Sequence, residues 1–579
     1  MGAITGAVLA VGVVMLGSVI AGARLRGLLR APVPPGLRVA VDLALGCWLL
    51  GSAYLLLGLL GALHPALLAT PPLAAMVVGR WRGAGWKWEL LAPASLGASL
   101  LLPLALAPPF FYDALVYHLA LPWQALRDGR IGPHPETVFA AFPPLAQGVY
   151  LPLLALRVDL APALVHLVLA MVAAGAAAVL ARRLGAPRWA AATAGATLLL
   201  LPGHALVGGL PAAESFLLLP VVAALLLALA GGRGTAPLVG FLLGAAAAAR
   251  LQALPWSVGI GALVLLRSRR RARDTTLAVA AWLLGSAPWW LKNTILLADP
   301  LAPLTWRRPG IETLWRDAGS ALATRLQWSG VVPLLGDALT PLAAYLLPLG
   351  LAAALAVAFD RRADRRWVAA AIVGGILAWL TSGSLPRFLL PSSALLLALA
   401  AAAARRFRVA GAMALAVAAI LGAVFTVGEL SRLGGPRLAL SSREQVLRRL
   451  VVNDPFPAFA LADALPTTSR ALFVAEPRGY GFPRRFVAPS QHDVNPLRPL
   501  LEGSEPVRAV TARLVAAGFT HLLVNDGELR RLAARYPVGP ALSPRGGRRW
   551  AELLETLGPP LIRAGGVRLW VLRDGPGSV

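Results

Sequence analysis

Residues 110–123, Phe110-Phe111-Tyr112-Asp113-Ala114-Leu115-Val116-Tyr117-His118-Leu119-Ala120-Leu121-Pro122-Trp123, set an acid, a phenol and an imidazole directly behind the apolar run 91–108. Ionisable groups at the edge of a bilayer are costly, which favours a functional reading. The competing reading is an interfacial helix whose Asp simply faces water. The neighbouring runs decide. With 58% of its 579 residues hydrophobic and 14% charged, the chain is too apolar for a soluble multidomain protein, and it repeatedly offers runs of about 20 apolar residues. Spans are expected at 4–22, 39–62, 64–79, 91–108, 160–181, 189–203, 214–231, 236–249, 254–266, 275–291, 338–358, 367–382, 388–404 and 409–427. The fold class is an α-helical polytopic membrane protein of about 14 transmembrane helices.

A net charge of +27 in a soluble protein would suggest nucleic acid, but here the arginines fall in short clusters between apolar runs. That is a topology signal. Arg24, Arg26 and Arg30 follow the first run, and Arg80, Arg82 and Lys87 the third. Arg182, Arg183 and Arg188, then Arg267 to Arg273, Arg361 to Arg366, and Arg405, Arg406 and Arg408 continue the alternation. All land on one side, which the charge rule makes the cytoplasm. No Lys or Arg precedes the first run, so it reads as an uncleaved anchor with the N-terminus outside. An even number of crossings places the C-terminus outside as well, with the loops 109–159 and 292–337, and the chain in a cell's inner membrane. The only cysteine, Cys47, lies inside a span, which excludes disulfides and a cysteine-based metal site.

The chain divides into a membrane part, 1–430, and a soluble extracytoplasmic part, 431–579, where Pro, Gly and charge rise. In the latter, 471–475, 521–525 and 567–572 read as strands and 507–517, 527–536 and 548–557 as helices, giving a small α/β fold. No glycine-rich phosphate loop follows a strand. The long outer loop 109–159 mixes Trp123, Phe139, Phe142 and Tyr150 with Pro122, Pro133, Pro135, Pro143, Pro144 and Pro152, a composition suited to short helices at headgroup level.

Within that loop Asp113 and Tyr117 are four apart and share a helical face, with His118 beside them. An acid held there acts as a general base if an acceptor hydroxyl comes within reach. For His118 the alternative is an imidazole bonded to a loop carbonyl. Glu214 stands where the chain re-enters the membrane from the same side; a helix N-terminus alone would favour an acid there by about 0.3–1 kcal/mol. Arg250, Lys292 and Arg387 fall on the side that topology disfavours for cations. A lipid phosphate would explain them, and snorkelling to headgroups is the alternative. Histidines lack ligand spacing, so a dedicated zinc site is not expected; a loosely held divalent cation between Asp113 and Glu214 stays open.

These motifs together resemble the C-type glycosyltransferase superfamily, polytopic enzymes that include protein O-mannosyltransferases and the lipid A aminoarabinose transferase. The resemblance rests on Tyr112-Asp113-Ala114-Leu115-Val116-Tyr117-His118-Leu119 with Pro122 and Gly129-Arg130-Ile131, then on Phe142-Pro143-Pro144. It continues in Pro288-Trp289-Trp290-Leu291-Lys292-Asn293, Asp299-Pro300-Leu301-Ala302-Pro303 and Arg387-Phe388-Leu389-Leu390-Pro391. It covers about residues 90–410. The chain departs from the pattern in carrying Asp299 where Asn is usual, Glu214 where Asp is commoner, and three extra spans before the loop. The resemblance implies a sugar donor carried on a polyprenyl phosphate, inverting transfer, Asp113 as base, Glu214 as second acid, and Arg250, Lys292 and Arg387 near the donor phosphate. Tyr117 and His118 would line the same site.

The expected activity is transfer of a sugar to a lipid, glycan or protein acceptor, with membrane lipids around it and no nucleic-acid partner. The alternatives are a transporter or flippase of a lipid-linked saccharide and a non-catalytic scaffold. A transporter would show charged or broken mid-membrane helices in two matching halves; Asp42 is the one mid-span acid.

Overall fold

The computed structural model describes residues 2–29, 32–78, 88–232, 234–308, 310–315, 340–359, 362–381, 385–533 and 535–573. Arg30, Arg80, Arg82, Lys87, Arg361 and most of the second expected loop, 316–337, lie outside them. Each apolar run read as a span is helical: α1 (Gly2–Leu28), α2 (Arg38–Leu59), α3 (Pro65–Val78), α4 (Trp88–Ala105), and, after the loop, α7 (Ala161–Arg183), α8 (Arg188–Leu200), α10 (Glu214–Ala230), α11 (Thr235–Ala247), α12 (Ala253–Arg267), α13 (Arg271–Leu297), α14 (Thr340–Ala358), α15 (Ala363–Thr381), α16 (Leu390–Ala403) and α17 (Arg408–Leu433). Between α4 and α7 stand α5 (Ala120–Asp128) and α6 (Leu145–Ala155), and α9 (Pro202–Val207) follows α8. Among the described residues five helices are long and apolar enough to cross a membrane, and seven shorter ones are apolar. The chain is a polytopic membrane protein.

Lipid-facing side chains gain little by leaving lipid, so helices associate through close backbone approach. Gly240 and Gly244 on α11 meet Gly285 on α13 in this way: a Cβ on Gly240 would collide with the Ala278 carbonyl, and one on Gly285 with the Phe241 carbonyl. Gly22 and Gly46 do the same for α1 and α2. Asp42, which lies near the start of α2, receives Nε and Nη2 of Arg26 at 2.5 and 3.1 Å, so the charge is neutralised within that helix pair. The arginine clusters also meet: Arg183 and Arg267 both pair with Asp364, at 3.0 and 2.6 Å. The ends of α7, α12 and the start of α15 therefore share one end of the bundle.

The loop 109–159 is more structured than its composition suggests. Residues Ala114–His118 form a π turn, closed by Leu119 N–H donating to the Ala114 carbonyl at 2.9 Å. The α6 segment is buried rather than interfacial, with Gly148 against the Gly51 carbonyl of α2.

Beyond α17, the short helices α18 (Arg443–Leu450) and α19 (Phe456–Leu461) lead into a five-stranded sheet in the order β2-β1-β3-β5-β4. Its strands are β1 (Arg470–Val474), β2 (Arg485–Val487), β3 (His521–Asn525), β4 (Ile562–Ala564) and β5 (Val567–Val571). β1 runs parallel to β2 and β3, and β5 runs antiparallel to β3 and β4. The two three-residue strands, β2 and β4, were not expected from the sequence. The helices α20 (Leu497–Glu502), α21 (Val507–Ala516), α22 (Asp526–Ala533) and α23 (Pro544–Leu557) complete this part. The sheet is seated on the loop: Trp123 Nε1 donates to the Phe482 carbonyl at 3.0 Å and Gln124 Nε2 to the Phe486 carbonyl at 2.8 Å.

Candidate active site

Four separate elements deliver charge to one place. Asp113 precedes the π turn, Glu214 opens α10, Arg250 lies in the turn between α11 and α12, and Arg387 sits in the 3-10 turn Pro386–Leu389 before α16. Arg387 Nη2 donates to Asp113 Oδ2 at 2.7 Å, and its Nε lies 3.4 Å from Glu214 Oε1. Arg250 Nη1 donates to the same Glu214 oxygen at 2.6 Å. Two carboxylates and two guanidiniums thus alternate in a chain, which lets a charged group stay buried. Glu214 is 2% exposed and Asp113 22%, so the chain runs from the interior to an open end at Asp113.

Local structure fixes each member. Glu214 Oε2 accepts from the N–H of Ala213 at 3.1 Å, where the helix N-terminus also favours an anion. His166 Nε2 accepts the next orphan donor, the Ser215 N–H, at 3.0 Å. Phe388 packs under both guanidiniums, with the Arg250 and Arg387 carbons 5.2 and 5.4 Å from the ring centre, and Phe111 lies 5.5 Å from that of Arg387. These aromatic faces attract cations and hold them flat.

Tyr117 joins through its hydroxyl, which donates to Asp113 Oδ2 at 3.2 Å. The extra residue in the π turn does not separate the pair expected from helical spacing. Both bonds to Asp113 fall on Oδ2, which leaves Oδ1 clear of them. Tyr117 is itself stacked on Phe139, with ring centres 4.4 Å apart. His118 is buried, its ring 4.2 Å from that of Tyr117, and among the described residues its Nε2 has no hydrogen-bond partner. Burial, reinforced by nearby Arg250, holds its pKa well below the usual range, at about 3. His118 is therefore neutral and able to give or take a hydrogen bond, but not to supply a cation.

Lys292 goes elsewhere. Its ammonium, 5% exposed, donates to the carbonyls of Ala140 and Phe142, the latter at 3.1 Å. Asn293 Nδ2 takes the intervening Ala141 carbonyl at 2.9 Å. The α13 end thus staples the 3-10 turn that carries Phe139. A narrow cleft opens beside Lys292, with Leu55, Leu121, Ile131, Leu151, Leu296 and Gln147 among its walls; Asp113 does not line it. Asp299, read as part of a donor loop, accepts from Thr305 at 2.6 and 2.8 Å and closes its own turn.

A cation bound between Asp113 and Glu214 would have to displace Arg387, and among the described residues no group of three or more metal-ligating side chains converges. Reasoning from sequence missed the aromatic wall of Phe111 and Phe388, and it missed Arg308, which with the N–H of Val138 ties Asp493 of the sheet portion to both long loops. Only the Arg-Phe pairing at 387–388 carried a local signal for any of these.

No family model matches the chain, and no curated protein does. Among solved structures, the chain is similar to ArnT from Cupriavidus metallidurans bound to undecaprenyl phosphate, at 14% identity and a TM-score of 0.51, over 85% of this chain and 100% of that one. The likeness covers most of the chain, and the chain shares the fold of that protein.

Proposed function

We propose that this protein is an integral-membrane glycosyltransferase that moves a sugar from a polyprenyl-phosphate carrier to an acceptor hydroxyl, with inversion, on the outer face of the cytoplasmic membrane. The observation that carries the reading is Arg387 held between Asp113 and Glu214. This cluster lies where α10 and α16 begin, while the paired arginine clusters lie where α7 and α12 end. Guanidiniums are forks for phosphate, and a phosphate arriving beside Arg387 offers it a stronger partner than Asp113.

In the reaction, Asp113 Oδ1 takes the acceptor's proton as the hydroxyl oxygen bonds to the anomeric carbon. The bond from that carbon to the phosphate oxygen breaks, and its electron pair leaves on polyprenyl phosphate. Arg387 and Arg250 stabilise this charge, with Glu214 holding both in place and His118 and Tyr117 lining the acceptor side. The structural neighbour's ligand, undecaprenyl phosphate, has the head and tail that such a site requires. About 14 crossings, both termini outside, and a division into a membrane part at 1–430 and an outer part at 431–579 complete the reading.

The test uses full-length protein in nanodiscs. Undecaprenyl phosphate should raise the Tm saturably, and Arg387→Ala should remove that rise. Undecaprenyl-phosphate-linked hexoses or pentoses should then release undecaprenyl phosphate when acceptor is present. Binding with no release for any such donor would favour a flippase; no binding would end the reading.

A further inference from the structure

The acid-bearing loop has a second attachment, through the residue next to Asp113. The ring of Tyr112 lies over two guanidiniums of the sheet portion, with the Arg478 and Arg531 carbons 5.9 and 5.7 Å from its centre. Both arginines are ion-paired, Arg478 deep in the interior and Arg531 at its edge. Arg478 donates to both oxygens of Glu476, at 2.7 and 2.6 Å, and to the carbonyls of Val452 and Asn453, at 2.6 and 3.0 Å. Arg531 is clamped by Glu528, which also lies 3.6 Å from Arg478. Asn525 Nδ2 completes the cluster on Glu476 at 2.6 Å.

This cluster sits just past the carboxyl ends of β1 and β3, parallel neighbours from which the chain departs to opposite sides of the sheet. In open α/β sheets such a crevice is where ligands bind. Here Tyr112 enters it. The same stretch after β1 grips the π turn from behind: Tyr480 N–H donates to the Leu115 carbonyl at 3.2 Å. Glu476, Arg478 and Glu528 are almost fully buried. Buried ion networks add little net stability compared with apolar packing, and their best-attested use is to fix one arrangement among several.

We propose that the sheet portion is a positioning device: its ion-paired crevice takes Tyr112 as a built-in ligand and thereby sets where the adjacent Asp113 carboxylate stands relative to Arg387. The effect on turnover rests on the glycosyltransferase reading; the effect on the loop does not. Tyr112 and Arg478 are positioning residues, since neither reaches the reacting atoms.

The experiment compares Tyr112→Ala with Tyr112→Phe in full-length protein in nanodiscs, by amide hydrogen exchange and by transfer kinetics. Tyr112→Ala should raise exchange in residues 110–120 by about tenfold and leave the strands 471–474 and 521–525 protected. It should lower kcat by about tenfold with KM for the lipid-linked donor unchanged, because a displaced base costs rate rather than binding. Tyr112→Phe keeps the ring over both guanidiniums and should match the parent in both measurements. Unchanged exchange at 110–120 in Tyr112→Ala overturns the proposal, as does loss of protection in loop and strands together, which would make Tyr112 a general stabiliser. If the parent transfers no sugar, the exchange arm still decides this proposal, and only the glycosyltransferase reading fails.

Discussion

The Arg387 guanidinium stands 2.7 Å from Asp113 and 3.4 Å from Glu214, one planar cation serving two acids that are 101 residues apart in sequence. The rigid planar fork aims Nη2 at one carboxylate and Nε at the other; an ammonium is a compact point charge on a flexible stem, with no such fixed pair of directions. Arg387→Lys should therefore behave as a loss rather than a conservative change. Transfer from a polyprenyl-phosphate sugar is expected to fall by about a hundredfold, in the range seen for a removed charge-stabilising donor. Transfer within threefold of the parent would show that shape at this position is irrelevant.

Asp113→Asn keeps the size of the side chain and its ability to accept from Tyr117, but removes the group proposed to take a proton. Transfer should drop by about 10²–10⁴-fold while undecaprenyl phosphate still stabilises the protein. If transfer persists, the base lies elsewhere in the cluster.

Glu214 is the buried partner of Arg250, and removing one member of such a pair leaves the other uncompensated. Glu214→Gln should lower the Tm markedly, since breaking a buried pair costs about 3–5 kcal/mol. Adding Arg250→Met should recover part of that loss, because the stranded cation goes as well. A double variant whose Tm loss equals the sum of the two single losses would mean that the pair is not coupled.

The acid and its basic partners were legible in the sequence because each breaks a local rule. Asp113 interrupts an apolar context, and Arg250 and Arg387 sit where the charge alternation disfavours cations. Lys292 broke the same rule for another reason: it satisfies the carbonyls of a 3-10 turn about 150 residues earlier, a partner fixed only by tertiary path. The helices were legible because each apolar run is long, whereas β2 and β4, at three residues, are too short for alternation to register. The π turn has no signature at all in residue type. In the sequence Tyr112 is simply the residue before Asp113 in the acid-bearing motif, and its role becomes visible only once Arg478 and Arg531 arrive from the far end of the chain.

Asp493 offers a pH readout outside the membrane. Burial raises its pKa to about 6, against the opposing pull of its partner Arg308 and of hydrogen bonds from Ser490 and Val138. Desolvation wins because Asp493 is buried while Arg308 is partly exposed. A carboxyl whose folded pKa lies above its unfolded value near 3.8 holds its proton longer in the folded state. Stability should therefore fall as pH rises from about 4 to about 6 and level off above that. Asp493→Asn should flatten this stretch of the Tm–pH curve. An equally steep slope in the variant would assign the effect to another group.

Lys292 links the helix bundle to Asp113 through a relay of contacts. Its ammonium fixes the carbonyls on either side of Ala141, that turn carries Phe139, Phe139 stacks on Tyr117, and the Tyr117 hydroxyl bonds Asp113. Lys292→Met keeps the length of the stem but strands two carbonyls, each at a cost of about 1–3 kcal/mol. If Lys292 acted only as a phosphate ligand, the variant would weaken binding of undecaprenyl phosphate and leave the loop unchanged. The contacts favour the opposite outcome: binding nearly retained, faster hydrogen exchange at 138–142, and a fall in kcat that follows the loosened Tyr117. Weakened binding with an unmoved loop would return Lys292 to the phosphate and break the relay at its first step.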